Sequence, residues 1–118
     1  MRLRAIRGAI QVDANSPAEI ESGVKDLLSE ILKSNELTTD EIISVIITCT
    51  PDLNAAFPAA FAREIGFGAV PLLCAVEMDV PGALPHVIRV LMHAECAKDR
   101  VSHIYLRGAV VLRKDLAQ

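Results

Sequence analysis

The order of periodic segments predicts an α+β fold: one sheet of about five strands, with one long and one short helix on one of its faces. Three observations carry that prediction. A capped amphipathic helix follows a first β-branched stretch, and four more strand-like runs come after it with one short helical interruption. The 118 residues show no internal repeat, low-complexity tract or linker, so residues 1–118 read as a single domain. Apolar residues make up 52% of the chain and aromatics 3%, so the core must be built from Ile, Leu, Val and Ala.

Residues 2–12 alternate and carry Ile and Val, as a first strand would, closed by Asp13-Ala14-Asn15. Ser16-Pro17-Ala18-Glu19 reads as a capping box, with Ser16 as N-cap, Pro17 at the first helical position and Glu19 reaching back. Ile20, Val24, Leu27, Leu28 and Ile31 then recur at helical spacing, which predicts an amphipathic helix over 17–34 ended by Ser34-Asn35. Residues 42–50 are rich in β-branched side chains and apolar on both parities, the pattern of a strand covered on both faces. A short helix is expected over 58–65, stopped by Gly66-Phe67-Gly68. Strands are expected over 70–76, 87–94 and 103–112, with a turn at Pro81-Gly82 and a bulge at Gly108.

A net charge of −3, no clustered Lys or Arg and few aromatics argue against a nucleic-acid partner. A mean hydropathy of +0.37 is high for so small a chain. No apolar run reaches the roughly 18 residues of a membrane helix, so the surplus points to a subunit interface and not to a bilayer. The charged start, Met1-Arg2-Leu3-Arg4, is unlike a signal peptide, and Cys49, Cys74 and Cys96 form no CxxC pair. Both features fit a cytoplasmic protein with reduced thiols. His86, His93 and His103 lack metal-ligand spacing, so no metal is expected.

Phosphate-binding loops, nucleophile elbows and zinc motifs are all missing. What remains is a scatter of arginines within or at the ends of apolar strands: Arg7, Arg89 and Arg113. Each needs an anion. Taken singly, each would be paired internally with Glu77, Asp79 or Glu95, or would reach solvent at a strand end. Taken together, with few acidic partners in the strands, they fit a pocket for a small dianion, because Arg grips carboxylates bidentately. Glu77 stands where an apolar strand ends, either as its first solvated residue or as a site carboxylate. Cys74 reads as a core thiol, with no base placed beside it.

These residues fall into a pattern that resembles the AroH-type, trimeric chorismate mutases. The resemblance rests on Ile6-Arg7-Gly8-Ala9, on Thr50-Pro51-Asp52-Leu53-Asn54-Ala55-Ala56-Phe57-Pro58-Ala59 and on Ala62-Arg63-Glu64. It continues through Val70-Pro71, Cys74, Glu77-Met78-Asp79-Val80, Ile88-Arg89-Val90, His103-Ile104-Tyr105-Leu106 and Ala109-Val110-Val111-Leu112-Arg113. The resemblance implies a mixed sheet in a homotrimeric pseudo-α/β-barrel, with active sites at the subunit interfaces. The reaction it implies is the Claisen rearrangement of chorismate to prephenate, in aromatic amino-acid biosynthesis and without a cofactor. Arg89 would donate to the ether oxygen and a carboxylate, and Glu77 would hold the ring hydroxyl near the developing positive charge. Arg7 and Tyr105 would bind a carboxylate, and Cys74 would make a polar contact near the ring. Phe57, Leu73 and Leu112 would wall the pocket, with Arg63 and Arg113 at its mouth. The chain departs from the family pattern at Ala60, where relatives carry a lysine, and in stopping at Leu116-Ala117-Gln118, where relatives continue in a tail. Strand alternation puts Cys74 and Glu77 on opposite faces, so the strand must bend if both line one pocket. Two rival readings stand beside it: a trimeric enzyme of similar architecture hydrolysing small imine or enamine acids, and a ligand-sensing trimer without turnover.

Overall fold

The computed structural model of the chain describes residues 1–113. Five strands and two helices alternate as expected: β1 (Arg2–Gln11), α1 (Pro17–Ser34), β2 (Ile42–Cys49), α2 (Pro58–Ala62), β3 (Leu72–Val76), β4 (Val87–Cys96) and β5 (Ile104–Leu106). The sheet order is β3-β2-β4-β1-β5. β4 lies at its centre, antiparallel to both β1 and β2, while β3 and β5 add as parallel edges. The sheet is therefore mixed.

Burial follows the pleat. Ile6 and Ile10 of β1, Val45 and Ile47 of β2, and Ile88, Val90 and Met92 of β4 point one way, onto Ile20, Val24, Leu27, Leu28 and Ile31 of α1. The helix lies close because glycine permits it. A Cβ on Gly8 would come within 2.7 Å of the Ile31 Cδ1, and one on Gly23 within 2.6 Å of the Val12 Cγ1. Ser16 caps α1 by accepting from the Glu19 amide at 3.1 Å. The Glu19 carboxylate reaches past the cap residue and accepts from the Asp13 amide at 2.9 Å, which fastens the end of the β1–α1 turn. α2 gives way at Arg63 to a wider turn, and the chain leaves it at Gly66 with φ +103, a conformation that suits glycine.

Two expectations change. β2 is covered on one face only: Ser44, Ile46 and Thr48 on its other parity are half-buried and Ile43 is exposed. The apolar run on both parities marks a face that the described residues leave partly open. The last strand is also much shorter than 103–112. β5 pairs with β1 only opposite Gly8, Ala9 and Ile10, and β1 ends one residue later. Arg107 then takes φ 55 and hydrogen-bonds through its guanidinium to Asp26 at 2.8 Å and Ser22 at 3.2 Å on α1. From there Arg107–Arg113 winds as a 3₁₀ turn, and Gly108 lies in that turn and not in a bulge. The turn carries Ala109 onto the open face, where it is buried with Ala9 and Val87 beside Leu84, Tyr105 and Leu112.

No helix among the described residues is long and apolar enough to cross a membrane. One buried polar side chain holds the far edge of the sheet in place. Asn35, 1% exposed, donates from Nδ2 to the Ile31 carbonyl at 2.9 Å and the Ser102 carbonyl at 3.0 Å, and its Oδ1 accepts from the Ser102 amide at 2.7 Å. It ties the end of α1 to the segment that enters β5. Asn35→Ala leaves buried groups unsatisfied, so unfolding free energy should fall by about 2–3 kcal/mol. Denaturant unfolding at matched protein concentration measures this, and an unchanged midpoint would contradict it.

Candidate active site

The face of the sheet away from α1 carries Arg7 and Arg89, and register explains their meeting. Residues paired across neighbouring strands share a face. Arg7 pairs with Leu91, which pairs with Ile46, which pairs with Leu73. One step along, Tyr105, Ala9, Arg89, Thr48 and Ala75 form the next cross-strand row. Members of these rows, with Glu77, line an open cleft of about 280 Å³: Arg7, Ile46, Thr48, Arg89 and Tyr105 among them.

Glu77 follows the last residue of β3. Its amide donates to the Cys49 carbonyl at 2.8 Å, which carries the β2–β3 ladder one residue further. The parity of Leu73 and Ala75 therefore continues to Glu77 and sends its side chain to the open face. There Oε1 accepts from the Thr48 hydroxyl at 2.8 Å, and Oε2 accepts from the Met78 amide at 3.2 Å. The Arg89 Nε stands 3.8 Å from Oε1, close enough for charge attraction but beyond hydrogen-bond reach. Arg89 thus has the acidic neighbour that its position demanded, yet its donors are not used up by it. No carboxylate of the described residues pairs with the Arg7 guanidinium. The Arg7 amide donates to the His103 Nδ1 at 3.0 Å, which joins the start of β5 to β1 beside the cleft. On the other side of the Glu77–Arg89 pair, a cleft of about 300 Å³ is walled by Met78, Val80, Leu84 and Leu112.

The remaining expected residues lie elsewhere. Cys74 pairs with Ile47 and faces the helices, so the strand does not bend to bring it beside Glu77. It lines an apolar cleft of about 440 Å³ at the β3 edge together with Cys49, Leu53 and Phe57. Phe57 is 79% exposed there. Burial, with the nearby Cys74 and Asp52 adding to it, pushes the Cys49 thiol up to about 12, so it stays a neutral core group. Leu73 is 63% exposed on the open face, and Arg63 is exposed at the end of α2. The Arg113 side chain and the segment 114–118 lie outside the described residues.

A family profile described as chorismate mutase type I matches residues 3–116. The chain belongs to the chorismate mutase type I family. It is 49% identical over 117 residues to chorismate mutase AroH of Thermus thermophilus, covering 97% of this chain and 96% of that protein. It is 40% identical over 120 residues to chorismate mutase AroH of Bacillus subtilis strain 168, covering 99% and 94%. A solved chorismate mutase from Clostridium thermocellum superposes with a TM-score of 0.89 at 47% identity, over 92% of this chain and 98% of that one.

Two groups of this type I chorismate mutase escaped the sequence reading. Thr48 gave no signal, because its contact with Glu77 depends on the pairing of β2 with β3. The other group is a clamp in the Thr50-Pro51-Asp52 turn, whose residues belong to the family pattern but carried no role in the sequence. Asp52 accepts from the Thr50 hydroxyl and, with both oxygens, from the His86 amide at 3.1 Å. The Thr50 hydroxyl accepts in turn from the Val87 amide at 3.0 Å. The clamp fixes where β4 starts, two residues before Arg89. Burial pushes the Asp52 carboxyl up, but the hydrogen bonds from Thr50 and His86 and the nearby His86 ring outweigh it and hold the group below its usual range. A depressed folded-state value means that the stabilisation is present above the ordinary carboxylate range and is lost as pH falls through the folded value. Asp52→Asn should therefore cost about 1 kcal/mol at neutral pH, a figure kept small by the solvent exposure of the carboxylate. The gap from wild type should narrow as pH falls through and below the ordinary carboxylate range. Denaturation curves across pH test this, and a gap independent of pH would contradict it.

Proposed function

We propose that the chain rearranges chorismate to prephenate in a site built on the Arg89–Glu77 pair and completed by a neighbouring subunit of a homotrimer. The observation that carries this reading is the pair itself: opposite charges held side by side on an open sheet face, in a member of the chorismate mutase type I family. The rearrangement is unimolecular. As the ether C–O bond breaks and the new C–C bond forms, negative charge grows on the ether oxygen and positive charge on the ring. A fixed guanidinium aimed at that oxygen, and a carboxylate near the ring, favour the transition state over the bound substrate. No nucleophile, metal or cofactor is needed, so the neutral Cys49 thiol is no handicap.

Arg7 and Tyr105 bind a substrate carboxylate and select the compact conformer, in which the reacting carbons are close. Leu112 supplies an apolar wall. Arg63 and Arg113 add positive potential that steers a dianion inward. Ala60, exposed on α2, leaves the rim one charge lighter than in lysine-bearing relatives.

Support for the trimer comes from the division of the predicted residues. Arg7, Glu77, Arg89 and Tyr105 share the open face, whereas Phe57 and Cys74 line the edge cleft beyond β3. One protomer cannot bring both sets around one ligand, but the edge cleft of one subunit can meet the open face of the next. Exposed Phe57, Leu73, Val76, Met78 and Val80 form the apolar surface such a contact would cover. A heterologous contact of this kind closes into a ring when repeated about a three-fold axis. The reduced thiols are consistent with the cytoplasm as its compartment.

Turnover of chorismate by the purified protein tests the reading, and Arg89→Lys tests its centre. Lys keeps the charge but loses the planar fork. kcat should fall roughly 10²–10³-fold, as when one preorganised donor to a developing oxyanion is removed. Trimer mass and Tm should stay close to wild type. An unfolded or dissociated variant would make Arg89 a structural ion-pair member, and an unchanged kcat would remove it from the chemistry.

A further inference from the structure

Carboxylate and guanidinium groups this close normally move together into a direct, hydrogen-bonded pair. Glu77 and Arg89 have not done so: their nearest charged atoms stand 3.8 Å apart. The chain offers a reason. Glu77 lies beyond the last residue of an edge strand, where only its amide bond to Cys49 extends the ladder. Its side chain would be free to swing if nothing held it. Thr48 lies near the end of β2 but is paired on both sides, with Ala75 of β3 and directly opposite Arg89 of β4, and its hydroxyl donates to the Glu77 Oε1 at 2.8 Å. The Met78 amide holds the other oxygen at 3.2 Å. Oε1, the oxygen nearer Arg89, is therefore the one that the threonine secures.

From this geometry we infer that Thr48 is a positioning residue, whose hydroxyl anchors the Glu77 carboxylate and keeps it from collapsing onto Arg89. The inference rests on the reading of Glu77 as a catalytic group. Anchored, the carboxylate keeps one fixed place relative to the ring, and the Arg89 donors remain directed at the cleft. Released, the carboxylate takes up those donors, and each turnover must first separate the two charges. Threonine suits the task because its χ1 is stiff, and its pairing with Ala75 and Arg89 sets its hydroxyl on the face that carries Glu77.

Kinetics of four variants decide it: Thr48→Val, Thr48→Ser, Glu77→Ala and the Thr48→Val/Glu77→Ala double variant. Val keeps the shape and removes the donor. kcat should drop roughly tenfold, the scale of one hydrogen bond to a charged group, with KM changed much less. Ser restores the hydroxyl and should restore most of kcat. In the Glu77→Ala background the Thr48→Val penalty should vanish, since no carboxylate is left to hold. An equal penalty in that background, or no rescue by Ser, would make Thr48 a packing residue and overturn the inference. If Glu77→Ala itself left kcat near wild type, the reading of Glu77 would fail first, and that outcome is distinct from the others. Unchanged kcat in Thr48→Val alongside a damaged Glu77→Ala would overturn the role of Thr48 alone.

Discussion

A sheet with helices on one face must do something with the other. Here α1 and α2 cover one side, and among the described residues the cover on the second side comes from the turn that follows β5. The open face is where the pleat sends Arg7, Thr48, Arg89 and, by one extra ladder bond, Glu77. These groups would be costly between sheet and helix, where each charge would need full pairing. On a half-covered face they keep contact with water. The aliphatic excess has the same origin, because the residues that make the face sticky flank the residues that make it charged.

The central position of β4 gives the site its rigidity. Arg89 is hydrogen-bonded through its backbone into the middle of the sheet, with β2 on one side and β1 on the other. Glu77 stands at the end of an edge strand and depends on side-chain and main-chain donors for its place. The proposed mechanism asks for one donor that does not move and one anion at a set distance from it. A central strand supplies the first requirement more readily than an edge strand supplies the second. Tyr105 and Leu112 arrive by a third route, through a strand of three residues and a turn whose direction is set by Arg107 on α1.

Much of this was legible in the residues themselves. α1 announced itself through Ser16, Pro17 and a regular apolar stripe, and those signals are local, so nothing distant could override them. Arg89 was legible as a charge in an apolar run. The length of β5 was not, since Val110, Val111 and Leu112 carry a β-like composition; the strand stops because β1 ends and Arg107 binds Asp26. Thr48 was illegible for a similar reason: its meaning depends on register with β3 and β4, which no local pattern encodes. Cys74 and Glu77 were correctly set on opposite faces by alternation. The bend proposed to reunite them is absent, and the apparent conflict becomes an argument for two subunits. The side chain of Arg113 and the tail at 114–118 lie outside the described residues.

The central claim is that each active site takes its charged half from one subunit and its Phe57 half from the next. Subunit complementation tests it most directly. Arg89→Lys disables the charged half, and Phe57→Asp places a repelling carboxylate in the exposed edge cleft while sparing the core. Each variant alone should be nearly inactive. After the two are unfolded together, mixed equally and refolded, about a quarter of the sites should combine an intact half from each subunit and regain wild-type turnover, as statistics require for a heterologous ring. Activity that stayed at the average of the two parent variants would contradict a shared site and return the whole chemistry to a single protomer.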